Sequence, residues 1–182
     1  MCVCYKKCIF DTIKQIVRTI IMKIQEVKLE SFSRVHALAK KTWFNTYKSI
    51  LEEQQLNYMF NMMYKIENLE HNVKKGSSYY IIRDKVDLGF IEIIKKEYII
   101  KLNKIYVIPN QQGKGLGENL IRFICDIAKN KKITQIELNV NRYNKAIKFY
   151  LKQDFKIIKE ENIEIGNGYL MEDYVMRKII IE

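Results

Sequence analysis

The run Gln112-Gly113-Lys114-Gly115-Leu116-Gly117 places three alternate glycines at the opening of an apolar-periodic segment. Without Cβ atoms they let the main chain approach a ligand closely. The unpaired N–H groups of a helix's first turn, at the positive end of its dipole, form an anion site. A pyrophosphate suits such a place. Two other phosphate-binding patterns do not fit: GxGxxG fails at Glu118, where its last glycine should stand, and GxxxxGK[ST] fails for want of a Lys-Ser or Lys-Thr pair. On its own the triplet is also what an ordinary loop-to-helix junction looks like. Further along, Tyr150 carries a phenol of pKa ~10 that can act as a proton donor, or it packs beside Phe149 on an apolar helix face. Asn144 has the residue type favoured at a helix start.

These residues must be positioned by the elements around them. An alternating pattern begins at Met22 and predicts a strand, followed by a helix over 31–49 capped by Ser31, a second over 51–64, and a helical stretch ending near Gly76. Residues 79–82, 86–94 and 98–107 are rich in β-branched and aromatic side chains and read as antiparallel strands. After Pro109 the pattern predicts a helix over 116–128, a strand over 133–140, a helix over 144–153, and two terminal strands about the turn dipeptide Asn167-Gly168. No repeat, low-complexity tract or flexible linker divides the chain.

With 182 residues and 48% hydrophobic content the chain has the size and core material of one domain. No run of 18 apolar residues predicts a bilayer-spanning helix, so a soluble protein is expected. The net charge of +11 raises nucleic acid or an anionic membrane as partners. The basic residues are scattered, however, and the joint richness in Lys, Ile, Asn and Tyr is also what an A/T-biased genome produces. A ligand carrying several phosphates suits the charge equally well. Cys2, Cys4 and Cys8 crowd the N-terminus, while Cys125 lies in a stretch patterned for burial. No Cys/His spacing suggests a metal, and a reduced, cytoplasmic setting follows. Residues 1–21 read as an extension outside the domain, which spans 22–182. As a helix the extension would be amphipathic, making a membrane-surface contact conceivable; charges at Asp11, Lys14 and Arg18 exclude a secretory leader.

The glycine run following Tyr106-Val107-Ile108-Pro109, together with the block from Leu138 through Asn144 to Phe149-Tyr150 and Asp154-Phe155, resembles the GCN5-related N-acetyltransferase superfamily. The closing segment from Ile165 to Met176 is similar to members associated with polyamines or other small amines. The resemblance implies an α/β fold with a mixed, largely antiparallel central sheet flanked by helices. It implies acetyl-CoA as donor, a primary amine as acceptor, and a homodimer as a reasonable assembly. It also implies roles. Ile105, Tyr106 and Val107 would pair through the main chain with the pantetheine arm, Val107 N–H polarising the acetyl carbonyl. Gln112, Gly113, Lys114, Gly115, Leu116 and Gly117 would hold the pyrophosphate, Lys114 adding charge from the rim. Asn144 would touch the arm or cap its helix, and Tyr150 would protonate the departing thiolate.

Two positions depart from the superfamily pattern: Asp154 replaces a glycine, and Asn144 stands six residues before Tyr150 where seven is commoner. The general base is open. Lys101 occupies about the place where some relatives carry a Glu; Glu92, Glu97 and Glu137 are candidates beside a water-mediated route, and His36 and His71 lie in the helical N-terminal half. For the acceptor, Trp43, Phe44 and Tyr47 could wall a pocket or belong to the core, Glu92 could face the amine, and Glu172 and Asp173 could attract a cation or simply be solvated. Acetylation of a protein N-terminus or lysine is the alternative enzyme reading, and a basic nucleic-acid- or membrane-binding module the alternative outside catalysis.

Overall fold

Among the described residues seven strands form one sheet in the order β1-β2-β3-β4-β5-β7-β6. The structure is a computed structural model that describes residues 22–180, so the expected extension, with Cys2, Cys4 and Cys8, lies outside the described residues. The strands are β1 (Lys23–Glu26), β2 (Ser77–Arg83), β3 (Asp87–Lys95), β4 (Ile99–Val107), β5 (Gln135–Asn141), β6 (Lys156–Glu164) and β7 (Leu170–Ile179). Between β1 and β2 come α1 (Phe32–Tyr47), α2 (Glu53–Tyr64) and α3 (Ile66–Lys74). Helix α4 (Leu116–Asn130) links β4 to β5, and α5 (Ile147–Lys152) links β5 to β6. Among the described strands only β4 and β5 run parallel, which is the pair that needs a helical crossover.

Strand periodicity sorts the core into two layers. Along β2, Tyr79 and Ile81 join Phe32, Trp43, Phe60 and Tyr64 under α1 to α3, while Tyr80 and Ile82 face the other way with Leu120, Ile121 and Ile124 of α4. Each such buried side chain contributes roughly 1.5–3 kcal/mol, so both faces need helices to cover them. Cys125, on α4, is half-buried against the core layer beneath that helix.

The largest departure from the predicted elements is α5, which starts at Ile147 and not at Asn144. The Asn144 Oδ1 accepts the Ala146 N–H at 2.9 Å, and this local bond holds residues 144–146 in a turn. Ser31 occupies the position before α1 but makes no side-chain cap bond, because a short 3-10 turn over Leu29–Ser31 precedes it. Asp154, standing where a glycine was expected, adopts φ +62°, a left-handed conformation that Asp tolerates.

Gly89 on β3 lies opposite Val107 of β4. A Cβ added there would sit 2.3 Å from the Tyr106 carbonyl oxygen, which is backbone and has nowhere to go. Gly89→Ala is therefore expected to destabilise the fold by about 3 kcal/mol, in the upper range for forcing bulk into a packed site, readable in a urea melt.

Candidate active site

Strands β4 and β5 are joined only from Ile99↔Gln135 to Leu102↔Leu138. Immediately afterwards, β4 pairs with β3 through a register shift in which Glu92 faces Lys104 and Ile93 faces Leu102. Asn103 is thus the extra residue of a bulge, and bulges bend the strand that carries them. From Asn103 to Val107 the β5-facing edge of β4 has no strand partner among the described residues, and a cavity of about 660 Å³ opens along it.

That cavity collects most of the residues expected there. Ile105, Tyr106 and Val107 line it from β4, and Gln112, Gly113, Gly115, Leu116 and Gly117 from the turn into α4, with Asn144 and Tyr150 on the far side. Gly115 is the residue before α4 and has φ +79°, which an L side chain rarely adopts. It offers no side chain to cap the helix, so the first N–H groups of α4 remain available to an anion. Gln112 braces the turn by donating its Nε2 hydrogen to the Val107 carbonyl at 3.0 Å. Lys114 departs from expectation: its ammonium turns back to the Asn110 carbonyl at 2.7 Å and to Gln111 Oε1, and it does not line the cavity. Asn144 does not cap α5; its Oδ1 accepts within the preceding turn, and the residue lines the cavity.

A second cavity of about 470 Å³ adjoins the first, sharing Tyr47, Leu102, Asn103, Lys104, Tyr106 and Asn139 with it. Trp43 and Tyr47 of α1 and Met59, Met63 and Tyr64 of α2 form its walls. Trp43 is also core, its Nε1 donating to the Leu56 carbonyl at 3.1 Å; Phe44 lines neither cavity and packs on Phe60. The floor is polar, because Lys101, Asn139, Asn141, Glu161 and Asp173 point to one face of β4, β5, β6 and β7.

Glu92 does not reach either cavity. It is 1% exposed, accepts from Ser77 Oγ at 2.7 Å and is paired with Lys104. Burial alone would raise its pKa, but the Lys104 ammonium and hydrogen bonds from Ser77 and Tyr79 outweigh that and hold it below the usual carboxylate range. A carboxylate so engaged is a structural ion pair, which corrects the expectation that it meets the amine. Glu137 is likewise committed, to Arg177. Lys101 donates to Asn139 Oδ1, and burial, opposed by Glu137 and Glu161, lowers its pKa.

Asp173 is the residue whose setting the sequence concealed. Instead of lying in a solvated turn it is 2% exposed within β7, opposite Asn141, and its Oδ1 has no hydrogen-bond partner. Burial raises its pKa to about 6, opposed first by hydrogen bonding from the Asn139 side chain; the Glu161 charge pushes up, and those of Lys101 and Arg142 pull down. The available signal was strand alternation: Met171, Asp173 and Val175 share a face, and Val175 is buried. Tyr150 is 7% exposed; burial first and then proximity to Tyr47 raise its pKa, so its hydroxyl stays neutral.

A family model described as an acetyltransferase (GNAT) domain matches residues 47–177, which include the turn, both diverging strands and Tyr150. The chain belongs to the GNAT acetyltransferase family. It is therefore an acetyl-CoA-dependent N-acetyltransferase, and the splayed β4/β5 edge with its open helix N-terminus fits an extended arm ending in a pyrophosphate. The acetyltransferase is 25% identical over 158 residues to a spermidine N(1)-acetyltransferase of Thermoplasma acidophilum, covering 83% of this chain and 96% of that one. Its fold superposes with TM-score 0.74 on PaiA N-acetyltransferase of Thermoplasma acidophilum in complex with coenzyme A, at 24% identity over 87% of this chain and 98% of that one. A spermidine N-acetyltransferase of Vibrio cholerae, in complex with CoA and spermine, gives TM-score 0.64 at 19% identity, covering 88% and 96%. Among the described residues no helix is long and apolar enough to cross a membrane, and no cluster of His, Cys, Asp or Glu could hold a metal ion.

Proposed function

We propose that the enzyme acetylates a primary amine of a small molecule, of the diamine or polyamine class. The observation that carries this is the second cavity, which opens off the donor groove and joins aromatic and thioether walls to a floor bearing the carboxyls of Glu161 and Asp173, with Lys101 and Lys104 also in its lining. Apolar walls suit the methylenes of an aliphatic amine and the carboxylates its ammonium. The two relatives named for spermidine support the same class.

In this reading the free edge of β4 from Ile105 to Val107 aligns the donor, with Val107 N–H polarising the carbonyl, and the turn from Gln112 to Gly117 holds its pyrophosphate. A neutral amine attacks the carbonyl carbon to give a tetrahedral oxyanion, whose collapse breaks the C–S bond. Tyr150 then gives the thiolate its proton or a hydrogen bond. The catalytic domain begins at Met22, and the cytoplasm is its setting.

Steady-state kinetics with acetyl-CoA and a panel of spermidine, putrescine and a peptide with a free N-terminus tests this. The small amines are expected to exceed the peptide in kcat/KM by at least about 100-fold, the scale set by roughly 3 kcal/mol of differential transition-state binding. Preferential turnover of the peptide would replace the small-amine reading by protein acetylation.

A further inference from the structure

An aliphatic ammonium has a pKa of ~10.4, so at neutral pH the acceptor must lose a proton before its nitrogen can attack. We propose that Asp173 receives the acceptor's ammonium and takes that proton. The inference rests on the reading of the second cavity as the acceptor site.

Position argues first. Asp173 lines the cavity that adjoins the donor groove, is 2% exposed, and leaves Oδ1 unpartnered. A buried acceptor atom without a donor is costly and rare in a folded protein, and an arriving ammonium supplies the missing N–H. The other carboxylates are excluded by their own bonds. Glu161 accepts from Asn139 Nδ2 at 3.1 Å and Lys159 Nζ at 2.8 Å, Glu137 is held by Arg177, and Glu92 is sealed under Lys104 away from both cavities. Lys101 is a donor to Asn139 and is not poised to accept.

Electrostatics agrees with position. The groups facing Asp173 are Asn139 of β5, Glu161 of β6, Lys101 of β4, Arg142 in the turn after β5, and Tyr47 at the end of α1. Burial dominates, and the carboxyl is pushed up to about 6, ionised at pH 7 yet a better base than an exposed aspartate. The same desolvation lowers the ammonium's pKa as it enters.

The protons balance. The ammonium's first N–H bond breaks and its proton joins Asp173; the freed lone pair forms the C–N bond. The nitrogen's next proton leaves as the C–S bond breaks and replaces the one Tyr150 gives to sulfur. Tyr47 lines both cavities and interacts electrostatically with both Asp173 and Tyr150, so it offers that proton a hydroxyl to pass through. Asp173 returns its proton to water, and one proton is released per turnover.

The test is Asp173→Asn, assayed from pH 5 to 10 with spermidine and with a free-N-terminus peptide. Wild-type kcat/KM is expected to rise with pH and bend near 6. The variant is expected to lose that bend, to be about 10²–10³-fold slower at pH 7, and to recover as pH nears the acceptor's own pKa, where neutral amine forms without help. Asp173→Glu should restore part of the bend. Calorimetric acetyl-CoA binding should be unchanged, and the variant's melting temperature at pH 8 should equal or exceed that of wild type. The sign follows from a native carboxyl pKa above its unfolded value: ionisation costs stability as pH rises from about 4 through 6, and Asn escapes it. An equal loss at every pH, or a bend that survives in Asp173→Asn, overturns the proposal. If only the peptide turns over, the small-amine reading fails while the same comparison, made with peptide, still judges Asp173. If neither turns over, the ¹³C carboxyl resonance of Asp173 decides: movement on saturation with spermidine supports the contact, and no movement overturns it.

Discussion

Replacing Gly115 by glutamate is expected to weaken acetyl-CoA binding at least about 100-fold by calorimetric titration while the folded state persists. Two effects combine. Gly115 sits at φ +79°, where a residue with a Cβ is strained by roughly 1–2 kcal/mol. The larger effect is electrostatic, since a carboxylate would stand beside the open first turn of α4 and occupy the anion site itself. No heavy atom lies within 4 Å of the position a Cβ would take, so the new side chain has room and the fold is not forced apart. Gly115→Ala separates the contributions, because it adds the strain without the charge and should cost no more than about tenfold, the worth of ~1.4 kcal/mol. Wild-type affinity in the glutamate variant would show that the donor's phosphates lie elsewhere. Equal losses in both variants would assign the effect to backbone strain.

The second large effect is expected at Tyr150. Changing it to phenylalanine should lower kcat by about 10²-fold and leave the KM for acetyl-CoA within a few-fold, as loss of one general-acid or hydrogen-bond contribution does. The ring is retained where it packs, with its centroid 5.4 Å from Phe149 and 5.7 Å from Phe155, so the fold should survive. Burial holds the hydroxyl neutral above its ordinary range. Hence no alkaline limb below about pH 10 should be attributable to it in wild type, and any limb seen there should persist in the variant. An unchanged kcat would mean that the thiolate departs without help from this hydroxyl.

Both effects concern residues whose local setting was readable. The glycines stand where a strand gives way to a helix, a junction marked by neighbouring residues alone. The same holds for the Asn167-Gly168 turn, where both residues adopt positive φ, and for Asp154, which takes the left-handed conformation expected after a helix. The strand over 79–82 was readable from its β-branched and aromatic residues, and the structure sends Tyr79 and Tyr80 to opposite faces of it. Such features were legible because conformational preference and side-chain period act over a few adjacent residues.

Asp173 and Glu92 show what local reading could not reach. Beside a glycine turn, Glu172-Asp173 looked like a solvated charge pair; only the neighbouring strands β5 and β6 bury Asp173 and leave its Oδ1 without a hydrogen-bond partner. Glu92 looked like a free strand carboxylate until the bulge at Asn103 set Lys104 across from it. Lys114 looked like a phosphate ligand but turns back onto its own loop.

The sequence by itself determined the order of elements, the two-faced sheet, the helix N-terminus at Gly115 and the presence of a phenol at Tyr150, because each follows from residue type and spacing along a short stretch. The tertiary structure alone decided where β4 leaves β5, which carboxylate is sealed in an ion pair and which is buried with an oxygen left unpartnered. Those outcomes depend on desolvation and Coulomb interaction with groups far away in the chain, and neither is written in a residue's immediate neighbours.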